Sequence, residues 1–195
     1  AVSWISAYFI YNFITPVVFA KQGAIEAGKI GLALGIYNSL STLGMSWISA
    51  KIPQFGVHIA RSQREELNNL FAKVAPRSLS VSAFLGIVFI MIFLIAKKID
   101  MQVIDRLPSL GVLTILFLAM VVNLFVFSMT AFMRAHREEP MLINSVVSAI
   151  FVGFGIYYSA RTGIFEVAVA YLVVILFVTL PWCLILFRGY WLRKH

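Results

Sequence analysis

The apolar positions of this chain fall in long runs rather than in stripes. A half-buried strand alternates apolar and polar residues, and a helix on the surface of a soluble protein shows one apolar face. Six stretches here are apolar on every side and about 20 residues long, the length of helix that crosses a bilayer. They are residues 1–20, 30–50, 78–96, 110–133, 141–160 and 165–187. Barrel strands would alternate over about ten residues. In hydrocarbon a helix satisfies its backbone groups within its own segment. The pattern therefore predicts an all-α membrane protein, with residues 1–195 forming one bundle of six transmembrane helices.

The longest polar interval, residues 51–77, lies between the second and third runs. Pro53 and Gly56 break it, and a helix is expected from there to Pro76. Leu67, Leu70, Phe71 and Val74 follow the i, i+3, i+4, i+7 spacing of one apolar stripe. Arg64, Glu65, Asn68 and Asn69 fall off it. Such a segment is expected to lie in the membrane interface as an amphipathic cytoplasmic linker, its basic side toward anionic headgroups.

Composition agrees with the pattern. The 195 residues are 61% hydrophobic and 12% charged, with a mean hydropathy of +0.93. A soluble domain is nearer half apolar and a quarter charged. The formal charge of +8 would suggest nucleic acid in a soluble protein. In a membrane protein it points instead to cytoplasmic loops, and no nucleic-acid partner is expected. With six spans both ends share one side. That side carries Lys51, Arg61, Arg64, Lys73, Arg77, Arg134, Arg137, Arg188, Arg193 and Lys194. The other carries Lys21, Lys29, Lys97, Lys98, Arg106 and Arg161. Ten against six places both ends in the cytoplasm. Trp47, Trp182, Tyr190 and Trp191 stand near span ends, where interfacial anchors sit. The chain is apolar from Ala1, without a basic leader or a small-residue cleavage site. Residues 1–20 thus read as a span rather than a signal peptide, and the abrupt start suggests a piece of a longer protein.

Polar side chains concentrate in the first two spans. Tyr8, Asn12 and Thr15 recur at i, i+4, i+7, followed by Pro16; Asn38, Thr42 and Ser49 recur at i, i+4, i+11. Hydroxyls and amides in a span either bond neighbouring helices or line a wet cavity. Two adjacent polar stripes suggest the wall of a shared hydrophilic cavity. No carboxylate sits mid-span, so a proton relay or sodium site on a buried acid is unsupported. The charge available to a ligand is positive: Lys29, Lys51, Arg61 and Arg134 stand at span ends. They suit an anionic, phosphate-bearing substrate, or else anchor the spans by snorkelling.

The chemistry of enzymes is not legible. There is no serine–histidine–aspartate set, no glycine-rich phosphate loop and no pair of carboxylates in a cleft. Glu65–Glu66 and Glu138–Glu139 are sequence neighbours that diverge on a helix. Cys183 is the one cysteine, and His58, His136 and His195 lie far apart, so neither a disulfide nor a metal site is expected. The loops are too short for a soluble catalytic domain. A non-enzymatic protein that needs no cofactor is the expectation.

Three segments carry a family resemblance. "WISAKIPQFGVHIARSQREELNNLF" resembles a segment of bacterial polysaccharide-biosynthesis flippases, members of the multidrug/oligosaccharidyl-lipid/polysaccharide exporter superfamily, with Pro53, Ala60, Arg61, Glu66, Leu67, Leu70 and Phe71 matching the pattern. "MRAHREEP", Met133 to Pro140, is similar to a turn of O-antigen flippases. "YFIYNFITPVVFAKQGAIEAGKIGLALGI" is similar to that family's seventh span and the loop after it. The resemblance implies the C-terminal half of a protein of about twelve spans, two six-span bundles around a central cavity lined by the first two spans of each. It implies a bacterial inner-membrane flippase that moves an undecaprenyl-diphosphate-linked oligosaccharide between leaflets by alternating access. Its partners would be that lipid-linked oligosaccharide, membrane lipid, the N-terminal six-span half, and the polysaccharide polymerase and chain-length machinery. The implied central cavity agrees with the candidate cavity residues found from the stripes and span ends, Tyr8, Asn12, Thr15, Lys29, Asn38, Thr42 and Ser49, and with Lys29, Lys51, Arg61 and Arg134 as candidate diphosphate contacts. Other readings are a drug or metabolite antiporter of the same superfamily, which calls for a membrane-embedded acid, and a membrane glycosyltransferase, polymerase or ligase, which calls for long external loops. A non-transporting scaffold is the last.

Overall fold

The fold is taken from a computed structural model that describes residues 12–136 and 139–192. Among them every regular element is helical. In chain order these are α1 (Ile14–Gln22), α2 (Ala24–Ser49), α3 (Ile52–Ala60) and α4 (Arg64–Lys98). A short 3-10 turn (Gln102–Arg106) leads to α5 (Leu110–Arg134) and α6 (Leu142–Ser159). The chain closes with α7 (Ile164–Val174), a π-helical turn (Ile175–Thr179) and α8 (Leu180–Leu192). Among the described residues four helices are long and apolar enough to cross a membrane: α4, α5, α6 and the continuous stretch Ile164–Leu192. The protein is an all-α, multi-pass membrane protein.

Six spans are expected from the sequence, and two of them look different here. The first, 1–20, lies mostly outside the described residues, which include its end as α1. The second, α2, has 26 residues and the length to span, but its serines, threonines and Asn38 make it less apolar than the other four. Its N-terminal extension also differs. Residues 21–29 read as a loop, yet only Gly23 interrupts the helix, at φ +90°. That left-handed conformation favours glycine. The turn folds α1 back on α2, so that Thr15 lies against Gly31.

The polar interval is where sequence and structure part most clearly. Pro53 and Gly56 do not break it. Pro53 stands in the first turn of α3, where its missing N–H costs nothing. The break comes at Ser62, with φ +56°, and Gln63. Nor does the next helix stop at Pro76. It continues as α4 for 35 residues, about 52 Å at the usual rise. That exceeds the roughly 30 Å hydrocarbon layer by several turns, so the segment expected as a separate linker is the protruding start of a spanning helix. Its stripe faces protein rather than lipid. Leu67, Phe71 and Val74 are buried. The Phe71 ring packs on Phe55, Phe132, Phe187 and Trp191, and Arg64 donates to the Trp191 carbonyl.

Helix α5 sits at the centre. It packs against α2, α4, α7 and α8, and the bulk of its residues from Leu124 to Met133 are buried. Helices α2 and α4 cross at Gly44, where the Ser78 hydroxyl donates to the Gly44 carbonyl at 2.6 Å and Ser82 to Leu40 at 3.4 Å. A small residue at the crossing lets two backbones approach, the main source of attraction between helices in lipid. A Cβ at Gly44 would meet Ser82 Oγ at 1.9 Å and the Ser78 carbonyl at 3.0 Å, whereas one at Gly35 on the same helix would meet nothing within 4 Å. Gly44→Ala should lower stability by about 1–3 kcal/mol through overpacking. Gly35→Ala should leave it unchanged or slightly raised. Thermal unfolding in detergent micelles compares the two; equal behaviour would remove Gly44 as the crossing point.

Candidate functional site

A cavity of about 500 Å³ opens between α2 on one side and α6 on the other. Helix α5 and the junction of α7 with the π turn form its remaining wall. Its size lies within the range of small-molecule sites. Much of the wall is apolar, including Leu34, Leu116, Met120 and Val152. Into it project Asn38, Ser41 and Thr42 from α2, Asn123 and Thr130 from α5, Asn144, Ser145 and Ser148 from α6, and Thr179 from the π turn. Asn12 reaches it from just before α1, and Arg134 stands at the end where α5 terminates. Among the described lining residues none is a carboxylate.

Two groups of polar side chains differ in what holds them. On α2 the contacts are local: the Thr42 hydroxyl donates to the carbonyl of Asn38 at 2.9 Å. Asn38 itself is exposed. On the facing wall a chain of bonds crosses between helices. Asn144, fully buried, donates to the Thr179 carbonyl at 3.2 Å. Ser148 donates to the Asn144 side-chain oxygen at 2.9 Å, and Thr179 donates to Ser148 at 2.9 Å. Deeper in, Asn123 donates to the Ala119 carbonyl and to the Tyr171 hydroxyl, at 2.9 and 3.2 Å. Tyr37 closes the α2–α5 seam by donating to the Leu113 carbonyl at 2.8 Å.

The π turn explains why Thr179 is placed there. Pro181 lacks an N–H, so the helix cannot continue its ordinary ladder through that position. Just before it, the Leu180 N–H reaches back to Ile175 in a widened turn. Turns of this kind occur disproportionately at functional sites. Here the widened turn brings both the backbone carbonyl and the hydroxyl of Thr179 to face α6.

Of the residues expected from sequence, the structure brings Asn12, Asn38, Thr42 and Arg134 to the cavity. Tyr8 lies outside the described residues. Thr15 packs on Gly31. Lys29 pairs with Glu26 at 3.0 Å, at the N-terminal end of α2. Ser49, Lys51 and Arg61 lie at or beyond the C-terminal end of α2 and are not among the lining residues. Arg134 pairs with Glu139 at 3.3 Å across the turn between α5 and α6. The contribution of α5, α6 and the π turn was not expected. Its sequence signal was present in the pair Asn144–Ser148, four residues apart, and in Asn123 within an otherwise apolar run.

No family model matches the chain, and neither curated proteins nor solved structures give a match.

The Asn144–Ser148–Thr179 chain generates its own test. Interhelical hydrogen bonds in membranes average about 0.6 kcal/mol and reach about 1.7. Ser148→Ala and Thr179→Val should each cost an amount of that order in detergent unfolding. The double variant should cost less than their sum, because the two hydroxyls share one bond. Strict additivity would show that the two side chains act independently.

Proposed function

We propose that this chain is the C-terminal six-span half of a bacterial flippase that carries an undecaprenyl-diphosphate-linked oligosaccharide across the inner membrane for cell-surface polysaccharide synthesis. The observation that carries this reading is the cavity between the apolar helices. Its described lining carries carboxamides and hydroxyls and, at one end, the Arg134 guanidinium, which is paired with Glu139. Sugars present hydroxyls that both donate and accept, which asparagine, serine and threonine match. A diphosphate favours charge-assisted bonds from arginine or lysine. Arg134 is suited to that role, and Lys51 and Arg61 stand near the same end of the bundle.

The size of the cavity fits a half-site. About 500 Å³ accommodates a small molecule rather than a lipid-linked oligosaccharide. A second six-span bundle facing this one would complete the chamber, and rocking of the two bundles would expose it to each leaflet in turn. In this reading the first span, through Asn12, and α2 line the cavity on one side, with α5, α6 and the π turn on the other. The apolar part of the wall leaves room for substrate to move without tight binding. The excess of basic residues near the α3 end supports a cytoplasmic position for that end and for both ends of the chain.

Filling the cavity should stop transport without unfolding the bundle. Asn38→Leu and Thr42→Leu should each lower surface polysaccharide several-fold in cells that depend on this protein, with lipid-linked oligosaccharide accumulating and membrane levels unchanged. Ile87→Leu on the exposed face of α4 should have no effect. Normal polysaccharide in both cavity variants would overturn the reading.

Orientation is tested separately. Ser62 is exposed between α3 and α4, and the natural Cys183 is fully buried. A Ser62→Cys variant should react with an impermeant maleimide only after the cells are opened. Labelling of intact cells would invert the topology.

A further inference from the structure

At the end of the bundle opposite α3, two cations converge on one aromatic ring. Lys21 Nζ lies 4.8 Å from the centre of the Tyr157 ring, and the Arg161 guanidinium carbon lies 5.6 Å from the same centre. Arg161 also lies 5.7 Å from the Tyr158 ring. Lys21 belongs to the last turn of α1, and Arg161 follows the end of α6. The two helix ends are pinned together by Gln22, whose amide donates to the Ala160 carbonyl at 2.9 Å.

The usual reasons for such cations do not account for them. Basic residues often serve the free carbonyls at a helix C-terminus. At the end of α6 those carbonyls have other donors: Ala160 has Gln22, Ser159 has the Thr162 hydroxyl at 2.8 Å, and Tyr158 has the Arg161 N–H at 3.3 Å; at the end of α1 the Phe19 carbonyl has the Gly23 N–H at 3.1 Å. Nor, among the described residues, are they ion-paired. Among the described residues the salt bridges are Lys29–Glu26 and Arg134–Glu139, and neither involves Lys21 or Arg161. Two like charges gathered at one ring repel each other, and an anion beside them would offset that cost.

We infer that Lys21, Arg161 and the two tyrosines form a binding site for the phosphate of an anionic phospholipid in the leaflet opposite α3. The ring faces attract the cations and fix their positions. Tyrosines and basic residues at the end of a span lie at headgroup depth. The acyl chains have a surface to follow. Phe151, Phe154 and Tyr158 recur at i, i+3, i+7 on α6 and are 53%, 63% and 62% exposed, so one aromatic stripe runs from the cations into the hydrocarbon. Charge complementarity selects an anionic headgroup over a zwitterionic one, which carries its own cation. The site requires only that these helices cross a membrane and is independent of what the cavity transports.

The test is native mass spectrometry of the full chain in detergent micelles doped equally with phosphatidylglycerol and phosphatidylcholine. The protein should retain phosphatidylglycerol preferentially. Lys21→Gln with Arg161→Gln should reduce that retention by about tenfold, the loss of roughly one charge-assisted contact. Lys97→Gln with Lys98→Gln, which removes the same charge from the same end of the bundle, should leave it unchanged. Tyr157→Leu keeps both charges but removes the ring beneath them, and should also lower it. Equal retention of the two lipids, no loss in the Lys21/Arg161 variant, or equal loss in the Lys97/Lys98 control would each overturn the inference.

Discussion

Inside hydrocarbon a polar group has no water to fall back on, so every donor and acceptor held at membrane depth must find its partner within the protein. That requirement organises this molecule from the backbone outward. Helices meet it for the main chain. Side-chain hydroxyls meet it by donating to a carbonyl one turn earlier, as Ser39, Thr42, Ser128 and Thr130 do. Where a hydroxyl points to another helix, it ties two elements together. Ser78 joins α4 to α2, and Tyr37 joins α2 to α5. Among the described residues no buried side-chain nitrogen or oxygen lacks a hydrogen-bond partner.

The same requirement explains the shape of the cavity wall. A proline at 181 denies the helix one donor, and the chain answers with a widened turn. The Asn144 amide then serves the Thr179 carbonyl from the neighbouring helix. This defect in one helix becomes a junction between two, and it faces the cavity. The α2 wall is built differently. Its hydroxyls bond mainly within their own helix, and Asn38 is left exposed toward the open space. One wall is thus internally bonded and the other offers polar groups to whatever enters. An asymmetry of this kind suits a site that must bind a polar guest without collapsing on itself.

Much of the fold was legible because apolar length is an unambiguous signal. The runs 78–96, 110–133, 141–160 and 165–187 fall within or along α4, α5, α6 and the stretch from α7 to α8. What misled was punctuation. Pro53, Gly56 and Pro76 looked like breaks, and none of them is one. Pro53 sits where no N–H is needed, and Pro76 loses one bond within a helix that tertiary contacts hold on both sides of it. The real breaks, at Gly23 and Ser62–Gln63, depend on where the chain must turn to pack, which local composition does not encode. The cavity was half legible. Asn38 and Thr42 announced themselves as a stripe, while Asn123, Asn144 and Thr179 were single polar residues in apolar runs, and only the packing of α5, α6 and the π turn brings them together.

The apolar stripe of residues 67–74 shows how burial and interface are confused at the sequence level. A stripe at i, i+3, i+4, i+7 reports that one face of a helix avoids water, not what it meets instead. Lipid headgroups and a protein groove would select the same pattern. The choice is settled by neighbours far along the chain. Phe132, Phe187 and Trp191 supply rings at the height of Phe71, and Phe55 from α3 closes the cluster. A helix whose first turns are gripped in this way stands up out of the membrane rather than lying on it. It also gives the basic end of the bundle a rigid frame: Arg64 is tied to the Trp191 carbonyl and Arg134 to Glu139. At the opposite end Gln22 ties the two helix ends, and Lys21 and Arg161 lie against tyrosine rings. Two guanidinium groups near one end are thus tied to partners within the protein, whereas Lys21 and Arg161 near the other lie against aromatic rings.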